Sequence, residues 1–466
     1  MATTKPHILV YPFPTSGHII PLLDLTHRLL TRGLSVTVLI TPNNLSLLDP
    51  LLSCHQSLQP LIFPSPETPT TNGRFNLNTT QLHDLHYPLL LQWFRSQQSL
   101  PAVMVFDFFL GWTHQLASEV GVPSVLFSPS GAFGLSMFFT LWREQPKIEE
   151  PDNEKSLVTF PNLPNCPVFP WYQLPPLYTR TKEGEAIWEF RKNVWLGNMA
   201  SWGIVLNTST GLERVYIENI KKQVGHDRVW AVGPVLPQDG DMASRGGSSS
   251  VPCHDLMTWL DAREDGSVVY VCFGSRGVLT SKQMDTLASA LEKSGVHFIW
   301  CVKKPDERHV SHDYGTIPNG FEDRTAGRGY IIKGWAPQVE ILGHRSVGAF
   351  LTHCGWNSTL EGTAAGVVML TWPMGAEQFM NARVLVEQLG VGIRVGEGTQ
   401  NVPEPPELAR VLSESVNGAR AERIKAKEVR EAVLKAVAKG GSSDKEMDEF
   451  VKQLNELERT AMAKTR

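Results

Sequence analysis

The sequence predicts an α/β protein of two doubly wound domains, each with a parallel sheet. Three observations predict it. Short apolar runs rich in β-formers alternate with helical patterns along both halves of the chain. The runs are continuously apolar, as in strands covered on both faces. A polar, low-complexity stretch, "QDGDMASRGGSSS" (238–250), separates two halves of similar size within 466 residues.

The elements follow in order. "HILVYPF" (7–13) is a strand and "PTSGH" a turn. Ile19, Leu22, Leu23, Leu29 and Leu30 recur at helical spacing, and Gly33 closes that helix. Further strands are expected at 35–41, 102–108, 124–128, 203–208 and 229–234. "FPNLPNCPVFPWYQLPP" (160–176) is too proline-rich for regular structure and is expected to be a long loop. Beyond the polar stretch, strands are expected at 267–275, 297–303, 329–335, 347–353 and 367–373, with a helix near 281–293 and helices from Pro403 onward.

Composition excludes several classes. With 43 basic and 47 acidic residues the net charge is −4, which gives no electrostatic ground for nucleic acid or an anionic membrane as partner. The six cysteines, Cys54, Cys166, Cys253, Cys272, Cys301 and Cys354, are scattered with no C-x-x-C pair, so free thiols and a cytoplasmic location are expected. No signal peptide and no run of about 18 apolar residues is visible. The sequons at Asn44, Asn78, Asn207 and Asn357 read as chance.

In doubly wound folds ligands bind beyond the carboxyl ends of the strands. In the C-terminal half one strand ends in "LTHCGWNSTLEG" (351–362), and a helix is expected to begin at Asn357-Ser358. Ser358 and Glu361 have the S-x-x-E spacing of a capping box. The same helix start, with Gly355 for close backbone approach and His353 as donor, also suits an anion such as phosphate. Trp335 follows another strand, as a platform for a nucleobase. Glu377 and Gln378 follow a third and could bind sugar hydroxyls. In the N-terminal half, His18 follows the first strand and Asp107 ends another. A histidine can take a proton from a hydroxyl, and an aspartate can orient it.

Trp335 through Gln378 spans 44 residues and carries "WAPQ", "HCGWNSTLEG", "WP" and "EQ" in that order. This resembles the signature box of plant UDP-dependent glycosyltransferases of the family 1 type. The resemblance runs from "FPTSGHIIPLLDL" to the C-terminal helices, and is particularly to the subgroup with flavonol 7-O-glycosyltransferases and phenol glucosyltransferases. It implies a GT-B fold, with two Rossmann-like domains facing each other across an interdomain cleft. The acceptor domain would be 1–237, completed by a helix at 445–466. A linker would span 238–252, and the UDP-sugar domain 253–444.

The resemblance also implies roles. Trp335 and Ala336 would hold uracil, and Gln338 and Glu361 the ribose. His353, Asn357, Ser358 and Ser275 would hold the diphosphate, and Trp356, Glu377 and Gln378 the sugar. His18 would be the base and Asp107 its partner. Two departures from the family pattern occur, Glu377 where aspartate is commoner and Val368 where proline is frequent. The implied reaction is inverting O-transfer from a UDP-sugar, glucose by the pattern at Gln378, to a phenolic or flavonoid hydroxyl. The enzyme is expected to be a monomer and to need no cofactor or metal. "DGD" (239–241) sits in the polar stretch rather than at a strand end, and His83/His86 and His309/His312 read as surface residues.

The alternatives are the same class with UDP-rhamnose or UDP-xylose as donor, and a non-catalytic nucleotide-sugar-binding protein. The His18 and Asp107 pair argues against the second. A nicotinamide oxidoreductase would need a glycine-rich fingerprint after the first strand, which "YPFPTSGH" lacks.

Overall fold

The computed structural model describes residues 5–66, 79–148, 153–236, 245–275, 277–303, 314–417 and 420–465. The "DGD" at 239–241, residues 238–244 of the expected linker, Asn78, and His309 and His312 lie outside them. The chain divides into two compact units. The first runs to Pro237 and resumes at Lys435, and the second is built from the residues between.

The first unit holds a seven-stranded parallel sheet. Its strands are β1 (His7–Tyr11), β2 (Ser35–Ile40), β3 (Leu58–Ile62), β4 (Val103–Asp107), β5 (Ser124–Ser128), β8 (Gly203–Leu206) and β9 (Val229–Ala231), in the order 3-2-1-4-5-8-9. Between β5 and β8, β6 (Leu157–Thr159) and β7 (Val168–Pro170) form an antiparallel ribbon. The expected loop at 160–176 therefore contains a strand. Pro170 sits at its end, where proline removes no internal ladder bond. β3 escaped the sequence pattern because Pro60 interrupts it, a residue tolerated because β3 is an edge strand.

The last helix, Ser442–Thr465, packs on β9. Met447, Phe450 and Leu454 are fully buried, and the Phe450 ring lies 4.9 Å from Trp230. Ser443 donates to the Gly233 carbonyl at 2.6 Å, and Arg32 pairs with Asp444 and Asp448.

The second unit holds a six-stranded parallel sheet in the order 12-11-10-13-14-15. Its strands are β10 (Val268–Cys272), β11 (His297–Val302), β12 (Gly329–Lys333), β13 (Val347–Thr352), β14 (Val368–Thr371) and β15 (Gly392–Arg394). Alternate residues of β10 feed two separate cores. Val269 and Val271 join Leu287, Leu291 and Leu412, whereas Val268 and Tyr270 join Leu256, Leu260 and Ile341. Helices thus cover both faces, which is why the strands read as unbroken apolar runs. Each such buried aliphatic side chain stabilises the fold by roughly 1.5–3 kcal/mol.

Both sheets reverse direction of growth at one point, between β1 and β4 in the first and between β10 and β13 in the second. Such switch points leave a crevice at the strands' carboxyl ends. His18 and Asp107 follow or end β1 and β4, while Ser275 and His353 follow β10 and β13.

Candidate active-site residues

In the first unit His18 lies in the first turn of helix Ser16–Thr31, and its side chain is 16% exposed. Its Nδ1 is 2.9 Å from Asp107 Oδ2. Asp107 is fully buried, and its Oδ1 accepts the Phe109 N–H at 3.0 Å, capping the turn Phe108–Leu110. Asn198 ties that turn down by donating to the Phe108 carbonyl at 2.7 Å. The carboxylate is therefore both a cap and a partner for the imidazole. The His18 ring stacks on Phe109 at 4.7 Å, with Phe13 and Phe108 edge-on. A carboxylate at Nδ1 fixes the proton there and leaves the Nε2 lone pair as the basic position.

His86 departs from expectation. It is fully buried, with Nδ1 at 2.5 Å from the Tyr11 hydroxyl and Nε2 at 2.8 Å from the Pro64 carbonyl, and burial lowers its pKa. It lies on the inner stripe of helix Thr79–Ser96 with Leu82, Leu90 and Phe94. That helical period is the sequence signal for its burial. His83 is partly covered by Trp112 and Phe190 rather than simply solvated.

In the second unit the turn after β13 is tightly specified. Cys354 is left-handed at φ 62°, its N–H donates to Thr352 Oγ1 at 3.1 Å, and its carbonyl accepts Asn381 Nδ2 at 2.9 Å. The helix that follows is Trp356–Ala365, with Gly355 as its N-cap and no side-chain cap. The capping-box expectation is thus wrong, because the helix is already under way at Ser358, which lies inside it rather than at its N-cap. Ser358 is then the third helical residue, and Glu361 points elsewhere. A Cβ on Gly355 would lie 2.6 Å from His353 Nε2, and one on Gly274 2.5 Å from its Cε1. Both glycines make room for the His353 ring. Burial pushes the His353 pKa down to about 4, and its Nδ1 finds no partner among the described residues. At neutral pH it is a neutral hydrogen-bonding group, not a cation.

Gln338, Ser358 and Glu361 form one network. Gln338 Nε2 donates to Glu361 Oε2 at 2.6 Å and to Ser358 Oγ at 3.1 Å, while Gln338 Oε1 accepts the Tyr270 hydroxyl at 3.2 Å. Arg245 holds the other Glu361 oxygen. Trp335 is half-buried, and its backbone pairs with Ser250 in both directions. Ala336 and Trp356 are 9% and 3% exposed, whereas Asn357 is less covered. Glu377 is the N-cap residue of helix Gln378–Arg383, and Gln378 Oε1 accepts the N–H groups of Met374 and Gly375. Gln378 therefore also shapes its own loop.

Two residues escaped the sequence reading. Arg245 lies 116 residues before its partner, out of reach of any local pattern. Lys303, one residue past β11, donates to the Ser275 carbonyl, and a cation directly after a strand next to the switch point was the available signal.

Residues 233–402 match the family described as UDP-glucoronosyl and UDP-glucosyl transferase. The chain is 50% identical over 468 residues to flavonol 3-O-glucosyltransferase UGT89B1 of Arabidopsis thaliana, covering 97% of each. The chain belongs to the plant UDP-glycosyltransferases. This glycosyltransferase is also 39% identical to an Arabidopsis thaliana flavonol 7-O-rhamnosyltransferase, covering 97% of this chain and 98% of the other. Its fold is GT-B. It matches the crystal structure of Arabidopsis thaliana UGT89C1 with UDP-L-rhamnose at a TM-score of 0.79 and 36% identity, over 97% of this chain and 100% of that one. The same neighbour has been solved with quercetin, at a TM-score of 0.77 and 35% identity over the same shares. No helix among the described residues is long and apolar enough to cross a membrane.

Proposed function

We propose that this glycosyltransferase moves glucose from UDP-glucose to a hydroxyl of a phenolic or flavonoid acceptor, with inversion. The observation that carries it is the His18–Asp107 pair at the first sheet's switch point. His18 Nε2 takes the proton of the acceptor hydroxyl, and Asp107 stabilises the imidazolium. The acceptor oxygen attacks the anomeric carbon of the UDP-α-sugar and yields a β-glycoside as UDP departs.

The second unit supplies the leaving-group site in this reading. Trp335 and Ala336 hold uracil, and Gln338 and Glu361 the ribose. Ser275, His353, Asn357 and Ser358 hold the diphosphate, and Trp356, Glu377 and Gln378 the sugar. Growing negative charge on UDP is met by the His353 N–H and by the dipole of helix Trp356–Ala365, whose N-cap Gly355 brings no side-chain acceptor to compete. The first unit is the acceptor domain, and the enzyme acts as a monomer in the cytoplasm without a metal.

Relatives named for glucosyl and for rhamnosyl transfer frame the donor question. Glucose is supported by Gln378, and UDP-rhamnose is the second reading because UGT89C1 was solved with it. Incubation with UDP-glucose, UDP-rhamnose and UDP-xylose against a flavonol and simple-phenol panel, read by product mass, tests the assignment. A hexose added to a flavonol supports it. Absence of any glycoside across the panel overturns it.

A further inference from the structure

The Glu361 carboxylate is 4% exposed, and the Arg245 side chain that meets its Oε1 is 12% exposed. Gln338 Nε2 occupies Oε2 at 2.6 Å, and the fully buried Tyr270 fixes Gln338 in turn. Five residues past Arg245, Ser250 is fastened to Trp335. Its N–H donates to the Trp335 carbonyl at 2.8 Å, and its Oγ accepts the Trp335 N–H at 2.6 Å. The fit is close enough that a Cβ on Gly334 would lie 2.2 Å from Ser250 Oγ. One short segment, 245–251, thus touches both the residue assigned to the base and the residue assigned to the ribose.

We propose that Arg245 is a positioning residue of the nucleoside site, holding Glu361 in the orientation that accepts the ribose hydroxyls. The proposal rests on the donor-site assignment above. Displacing the guanidinium from a carboxylate this buried would give back much of what two hydroxyl hydrogen bonds supply. The ribose therefore adds to the pair rather than displacing it. A carboxylate has about four lone-pair positions. Arg245 and Gln338 take one on each oxygen and leave one on each, the spacing that adjacent ribose hydroxyls need. Arg245 also cancels the Glu361 charge, which would otherwise repel the incoming diphosphate.

The test is calorimetric titration with UDP and with 2′-deoxy-UDP on the full chain and on Arg245→Ala, Arg245→Lys and Glu361→Gln. Arg245→Ala should lose about tenfold in UDP affinity, the worth of a well-placed charge-assisted hydrogen bond. The preference of UDP over 2′-deoxy-UDP should shrink with it. Arg245→Lys should fall between wild type and Arg245→Ala in both affinity and preference, and it carries the test if Arg245→Ala does not fold. A wild-type ratio in the Arg245 variants, or tighter UDP binding, overturns the proposal. If Glu361→Gln leaves the ratio unchanged, the ribose assignment itself fails. If Glu361→Gln collapses the ratio and the Arg245 variants do not, only the Arg245 role fails.

Discussion

His18 Nδ1 and Asp107 Oδ2 meet at 2.9 Å across 89 residues of sequence. Two neighbouring strands of one sheet bring them together, because β1 pairs directly with β4. The contact leaves Nε2 as the basic nitrogen. Asp107→Asn keeps the shape but can donate toward Nδ1 and so favour the wrong tautomer. It should lower kcat by roughly 10²–10⁴-fold, the range for losing general-base catalysis. Steady-state rates beside a UDP titration check this, since UDP affinity should stay at the wild-type value.

Gly355→Ala and Gly274→Ala should each weaken UDP binding by about tenfold or more, equal to about 1.4 kcal/mol. In each case the new methyl meets the His353 ring inside normal contact distance. Gly274 is also left-handed at φ 74°. Gly343→Ala, whose added Cβ meets nothing within 4 Å, is the matched control and should bind UDP normally. Fluorescence or calorimetric titration decides.

Stability should fall on acidification. His353 is pushed down to about 4 and His86 is lowered, both by burial. Unfolding frees these rings to bind a proton near the ordinary value of 6.5. Below that value the unfolded chain holds more protons, so stability drops as pH falls. The His353 contribution is complete above pH 6.5 and is lost as pH falls toward 4. Denaturant midpoints from neutral pH down to that value should show the decline, and His353→Gln should flatten part of it. An unchanged slope in the variant contradicts the assignment.

The C-terminal helix is held by its apolar face. Phe450→Ala removes a fully buried ring and should cost roughly 3–5 kcal/mol. Asp448→Asn breaks an ion pair whose carboxylate is 65% exposed and should cost no more than about 1 kcal/mol. Thermal melting of the two variants tests the ordering.

Much of this arrangement was legible because it is local. Buried parallel strands read as apolar runs, and the proposed site residues sit at or beyond their carboxyl ends, as Asp107, His353 and His18 do. What was missed depends on contacts distant in sequence or on backbone detail. The S-x-x-E spacing at Ser358 and Glu361 looks the same whether Ser358 caps the helix or lies inside it, and only the backbone, with Gly355 as N-cap, decides. Arg245 lies in a polar stretch whose composition says nothing of its distant carboxylate. β3 carries a proline that only an edge position permits. His86 belongs to the helical stripe of Leu82, Leu90 and Phe94, whose period marks it as buried rather than exposed.

In the proposed reaction one residue removes the acceptor proton while a separate set of residues binds the nucleotide. His18→Ala, assayed for glycoside formation with UDP-glucose and a flavonol and titrated with UDP in the same preparation, tests it most directly. Transfer should fall by roughly 10²–10⁴-fold while UDP binds as in the wild type. Transfer at the wild-type rate would contradict it.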